Sequence, residues 1–157
     1  MASAMEQLYQ QVILDHSRAR SGERDIDAAH GESFQVNPTC GDECRVKVTL
    51  DGDTIETLAW TGRGCSISQA SLSVMHEMLE GESLQRAEEL GEIFRELMHA
   101  RGKELEAHKQ EELEDLSAFT GVAKYPARIK CALLGWMALR DALLQAQYGE
   151  EKGGEHD

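Results

Sequence analysis

The sequence predicts an α+β fold: a small antiparallel three-stranded sheet with helices packed on one face. Two observations predict it. Residues Cys44 to Leu50 alternate between apolar and polar and run into Asp51-Gly52, the signature of a strand entering a hairpin turn. The stretches on either side carry apolar residues at helical spacing instead. The order is helix, small sheet, then helices, and 157 residues suit one domain with a single core. Residues 1–149 are expected to form that domain, and residues 150–157 a disordered acidic tail.

Each element has a local reason. Ser3-Ala4-Met5-Glu6 reads as a capping box, opening a helix with Met5, Leu8, Tyr9, Val12 and Ile13 on one stripe. The polar stretch from Ser21 to Ser33 reads as a loop. A short strand is expected near Phe34 to Val36. The Cys44–Leu50 strand puts Cys44, Val46, Val48 and Leu50 on its covered face. Its hairpin partner runs from about Thr54 to Thr61 with Leu58 and Trp60 inward, while Ile55 is out of phase and points to a bulge. Ser66 to Leu79 is helical, with Ile67, Ala70, Val74, Met75 and Met78 on one stripe and Gly81 suited to its end. Ser83 caps a further helix to about Ala100. Arg101 to Glu114 is charged and reads as a surface excursion. The last helix starts near Pro126, runs to about Tyr148 and ends at Gly149.

Composition excludes several functions. A formal net charge of -13 leaves no basic face for nucleic acid or for an anionic membrane surface. No stretch approaches the roughly 20 apolar residues of a membrane span. The N-terminus has no basic segment followed by an apolar run, so a cytoplasmic location is expected. In that compartment four cysteines point to metal ligation or reactive thiols rather than disulfides.

Three of those cysteines sit in dense local motifs: Asn37-Pro38-Thr39-Cys40-Gly41-Asp42, Gly62-Arg63-Gly64-Cys65-Ser66-Ile67-Ser68, and Tyr125-Pro126-Ala127-Arg128-Ile129-Lys130-Cys131. Three thiols and the Asp42 carboxylate make a four-ligand set that suits zinc, and nearly the same shell suits an iron–sulfur cluster. Gly41 lets the chain fold tightly beside Cys40. Cys65 directly precedes a helix, whose N-terminal partial charge favours its thiolate. A divalent ion with these ligands carries excess negative charge, and Arg63, Arg128 and Lys130 are placed to offset it. The competing reading is that free cysteines are buried small hydrophobes. It fits Cys44, which holds an inward strand position, better than the three glycine- and proline-flanked cysteines. Of the six histidines, His16 and His76 fall on amphipathic helices, and none neighbours a cysteine in sequence.

With these motifs the chain resembles the SufU family of zinc-dependent sulfurtransferases, a branch of the IscU-like iron–sulfur assembly fold. The resemblance also rests on Leu8-Tyr9 through Asp15-His16, Leu50 through Asp53, Gly64 through Ser71 and Cys131 through Trp136, and spans about residues 5–145. IscU-type scaffolds carry a Leu-Pro-Pro-Val-Lys segment and then a histidine just before the last cysteine. Here the region reads Val122 through Lys130, with Lys130 in the histidine position, which favours the SufU branch.

The resemblance implies zinc held by Cys40, Asp42, Cys65 and Cys131. It implies a SufS-type, pyridoxal-phosphate-dependent cysteine desulfurase as partner and a downstream Suf cluster-assembly scaffold. On docking, a partner histidine displaces Cys40, whose thiolate takes the outer sulfur of the desulfurase persulfide. Arg128, with Arg63 and Lys130, is a candidate for docking or charge compensation. A monomer is expected. Two alternatives stay open: a scaffold assembling a transient [2Fe–2S] cluster on the same residues, and a structural zinc site in an adaptor.

Overall fold

In the computed structural model the backbone is described for residues 3–156 and the side chains for residues 3–148. The chain forms α1 (Ala4–Ala19), β1 (Gly31–Asn37), β2 (Asp42–Asp51), β3 (Thr54–Arg63), α2 (Ser66–Leu79), α3 (Leu84–Met98), α4 (Ala107–Leu113), a 3-10 segment (Glu114–Lys124) and α5 (Pro126–His156). The strands make one antiparallel sheet in the order β1-β2-β3. α5 packs on β1 and β2, and α2 packs on β3. This is the expected α+β architecture.

Strand β2 explains how the sheet is covered. Asp42, Cys44, Val46 and Val48 alternate inward and are all buried. The register between β2 and β3 shifts at Thr49/Leu50, so that Leu50 pairs with Ile55 and Glu56 is extra. That is the expected bulge, and it turns Ile55 fully inward together with Leu58 and Trp60. β1 is longer than expected and begins at Gly31, because α5 lies directly on it. A Cβ at Gly31 would meet the Ala142 carbonyl at 2.0 Å.

The helices are capped as expected. The Ser3 hydroxyl accepts from Glu6 N at 3.1 Å and the Ser83 hydroxyl from Arg86 N at 3.0 Å. Gly81 takes positive φ just beyond α2. The α1 stripe is only partly used: Met5 and Leu8 are exposed, and the buried residue is His16. Its ring meets Asp115 Oδ2 at 2.8 Å and Ser73 Oγ at 3.3 Å, tying α1 to α2 and to the 3-10 segment.

The largest departure lies between residues 101 and 124. Arg101–Glu114 is not wholly a surface excursion. Ala107–Leu113 is helical and Leu113 is fully buried. The 3-10 segment adds Leu116 and Phe119, and Phe119 packs edge-on against Phe94 at 5.6 Å. α5 also continues past Gly149, the end expected for it. The expected disorder falls on residues 150–157, whose side chains lie outside the described residues. Among the described residues no helix is long and apolar enough to cross a membrane.

Two contacts fix α2 against α5 and so set the distance between Cys65 and Cys131. The Ser71 hydroxyl donates to the Ala132 carbonyl at 2.7 Å and accepts from Trp136 Nε1 at 3.1 Å. Gly135 lets the helices touch, since a Cβ there would meet Leu72 Cδ2 at 2.4 Å.

Candidate metal centre

Asp42 is the first residue of β2 and the middle of the site. Its side chain faces the helix-covered side, where it is 1% exposed. The loop before it is a tight turn. Asn37 Oδ1 accepts from Thr39 N at 3.2 Å, Asn37 O accepts from Gly41 N at 2.8 Å, and Gly41 has φ +77°. This turn brings Cys40 back over Asp42. The thiol of Cys40 donates to Asp42 Oδ2 at 3.1 Å, and its sulfur is 3.4 Å from that of Cys131.

Cys131 sits in the second turn of α5, buried, with its sulfur 3.5 Å from the Ala127 carbonyl. One ligand atom each from Cys40, Asp42 and Cys131 lies within 4.8 Å of the others. Cys65 joins this group through Asp42. It is the N-cap residue of α2, its N–H donates to Asp42 Oδ1 at 2.8 Å, and its sulfur is 3.5 Å from Asp42 Oδ2. Gly64 makes the approach possible, because a Cβ there would sit 2.1 Å from Asp42 Oδ1.

Cys40, Asp42 and Cys131 are spaced as three corners of a tetrahedron, and Cys65 lies outside their common 4.8 Å group. Metal bonds of about 2.0–2.3 Å imply ligand–ligand edges of roughly 3.3–3.8 Å. The spacings of 3.4 and 3.5 Å lie inside that range and that of 3.1 Å just below it. Hydrogen bonds from the Cys40 and Cys65 thiols to the Asp42 carboxylate hold the cluster together. Burial pushes the Asp42 carboxyl up, but hydrogen bonds from Cys131, Cys40 and the Cys65 N–H outweigh it and hold the carboxyl below its usual value. Burial first, then Asp42, Cys40 and Cys65, push the Cys131 thiol far up.

The three cations are less closely bound to the site than expected. Arg63 is 83% exposed and pairs with Glu43, its cross-strand partner. Arg128 lies over the Tyr125 ring at 4.8 Å. Lys130 is exposed beside Cys131. Cys44 stays out of the cluster, 1% exposed in the apolar core. Two buried polar residues next to Cys65, Ser68 and Gln69, had no role in the sequence reading. Their signal was their position in the first turn after a cysteine N-cap.

The NifU-like N terminal domain family model matches residues 8–143 of the chain. The zinc-dependent sulfurtransferase SufU of Bacillus subtilis (strain 168) is 38% identical over 148 residues, covering 92% of this chain and 95% of that protein. The iron-sulfur cluster assembly scaffold protein IscU of Streptococcus pyogenes serotype M1 is 41% identical over 142 residues, covering 90% and 86%. Among solved structures, a candidate cluster assembly scaffold for the SUF system from Fervidobacterium islandicum AW-1 superposes with TM-score 0.78 at 36% identity, covering 88% of this chain and 98% of that one. The N-terminal NifU-like protein of Brucella abortus reaches TM-score 0.80 at 20% identity over 92% of this chain and 98% of that one, a likeness of fold. The chain belongs to the NifU-like N-terminal domain family, as a SufU- and IscU-like member of it.

Proposed function

We propose that this protein is a zinc-dependent sulfur-transfer protein of iron–sulfur cluster biogenesis, with Cys40 as the sulfur acceptor. The observation that carries the reading is the convergence of Cys40, Asp42 and Cys131 within 4.8 Å, with Cys65 reaching the same carboxylate. These four residues would hold zinc, which would keep the thiols deprotonated and restrain Cys40 as a nucleophile. Cys40 is the ligand built to leave. It is exposed, on a glycine-flanked turn, whereas Cys131 is buried and Cys65 is fixed by its own backbone bond to Asp42.

The partner is a SufS-type cysteine desulfurase. The Cys40 thiolate attacks the outer sulfur of the desulfurase persulfide. A new S–S bond forms on Cys40, the partner's S–S bond breaks, and the partner's cysteine leaves as a thiolate. The sulfur then passes to a downstream Suf cluster-assembly scaffold. Arg128 and Lys130, exposed on α5 beside Cys131, supply positive charge on an otherwise acidic protein, suited to docking, and Arg63 flanks Cys65 in its pair with Glu43. The protein acts as a cytoplasmic monomer.

The test is desulfurase turnover with added protein, with zinc content tracked. Wild type raises turnover. Cys40→Ala abolishes the stimulation, and Cys44→Ala retains it with wild-type zinc content. Full stimulation by Cys40→Ala sinks the reading. A second reading draws on the 41% identity to a relative named as a scaffold: assembly of a [2Fe–2S] cluster on the same residues. Anaerobic reconstitution then gives a cluster that passes to an apo-acceptor, which the sulfur-transfer reading does not require.

A further inference from the structure

Cys40 and Cys65 are both exposed thiols of one centre, and the Cys40 reading requires Cys65 to be the less reactive of the two. Their surroundings differ. Among the described residues, Cys40 Sγ makes its hydrogen-bond contacts with Asp42 and Cys131. Cys65 Sγ has in addition a hydroxyl nearby, with Ser68 Oγ at 3.9 Å. Ser68 is 1% exposed, so water does not compete for that hydroxyl.

The hydroxyl belongs to a relay. Gln69 Nε2 donates to Ser68 Oγ at 3.1 Å, and Ser68 Oγ donates to the Cys65 carbonyl at 3.0 Å. That carbonyl also accepts the backbone N–H of Gln69 at 3.2 Å, so it keeps a partner if the hydroxyl rotates away. Gln69 is 3% exposed, and its Oε1 is a buried oxygen with no partner. Folded proteins rarely leave a buried acceptor unpaired. Here the amide places its nitrogen end on Ser68, where it fills one of the hydroxyl's two acceptor positions, and the Cys65 thiol faces the other. The hydroxyl proton is the one donor Ser68 has to direct.

A ligating thiolate has no proton to donate and must accept instead. Resting on the metal reading above, we propose that Ser68, backed by Gln69, is a positioning residue for Cys65. Its hydroxyl turns from the Cys65 carbonyl to the Cys65 thiolate and holds that sulfur as the resident ligand, which directs sulfur transfer to Cys40. A hydrogen bond to a bound thiolate draws off electron density and lowers its nucleophilicity, the usual action of an outer-shell partner on a metal ligand.

The test is limited iodoacetamide labelling of the zinc-loaded protein, read as the ratio of Cys65 to Cys40 modification by peptide mass spectrometry. The same proteins loaded with cobalt give a sulfur-to-metal charge-transfer band. In wild type Cys40 is labelled first. Ser68→Ala raises the Cys65 share, by about tenfold at the lower end of outer-shell effects, and moves the cobalt band to longer wavelength. Gln69→Leu keeps the side-chain bulk, removes the backing donor and shifts both readouts part of the way. It decides the matter if Ser68→Ala fails to fold. Wild-type ratio and band in the folded variants overturn the proposal. A raised ratio with an unmoved band marks general loosening and overturns it too. A wild-type protein that takes up neither metal defeats the metal reading itself, and this proposal with it.

Discussion

Asp42 and Cys44 are neighbours on one face of one strand, equally buried at 1% exposure, and they do opposite things. Asp42 meets donors from three segments: the Cys40 loop, the start of α2 and the start of α5. Those donors keep its carboxyl ionised below the usual range despite burial. Cys44 meets the apolar cluster instead. Burial, with the Asp42 charge second, pushes its thiol up to about 12, so it keeps its proton and packs as a small hydrophobe. Burial therefore does not make the site. Convergent polar partners at the end of the sheet make it, and two residues further on the same strand is core.

The comparison breaks first where the partners are crowded apart. Gly64→Ala places a Cβ 2.1 Å from Asp42 Oδ1 at a backbone φ of +151°. The expected cost is about 2–4 kcal/mol with loss of zinc retention, read by thermal unfolding and metal analysis. Unchanged zinc content would show that Cys65 need not approach Asp42.

The next effect is on pH dependence. The Asp42 carboxyl is held below its ordinary value of 3.8, so its contribution to stability is present above that value and fades as pH falls through the lower folded value. Asp42→Asn removes this contribution. The variant is less stable at neutral pH, and the gap to wild type closes in acid. Urea titrations at several pH values measure it, and a constant gap contradicts the assignment.

Cys44→Ala is the smallest of the three. It opens a small core cavity and costs about 1–2 kcal/mol while zinc binding stays at the wild-type level. Lost zinc would place Cys44 with Asp42 rather than with the core.

Legibility in the sequence followed the range of the forces involved. The β2 alternation, the bulge at Ile55 and the serine caps are local, and each is where the residues put it. The turn at Gly41 was equally local. What the sequence could not reveal is set by tertiary packing. The helical and 3-10 stretch from Ala107 to Lys124 buries Leu113, Leu116 and Phe119 against α3 and α5, although the charged residues from Arg101 to Glu114 read as surface. His16 looked like one polar residue on an amphipathic helix, and its bonds to Ser73 and Asp115 span 57 and 99 residues. At the site, the cysteines and the aspartate were readable from motifs. The pairing of Arg63 with Glu43 was not, because it depends on strand register.

The most direct test of Cys40 as sulfur acceptor is to locate the transferred sulfur. The protein is incubated with the desulfurase and cysteine, trapped by alkylation and cleaved at its acidic residues, which parts Cys40 from Cys44, and its cysteine peptides are weighed. One added sulfur atom on the Cys40 peptide, absent from the Cys44 and Cys131 peptides, is the predicted result. Sulfur on Cys65 or Cys131 with Cys40 unmodified would contradict it.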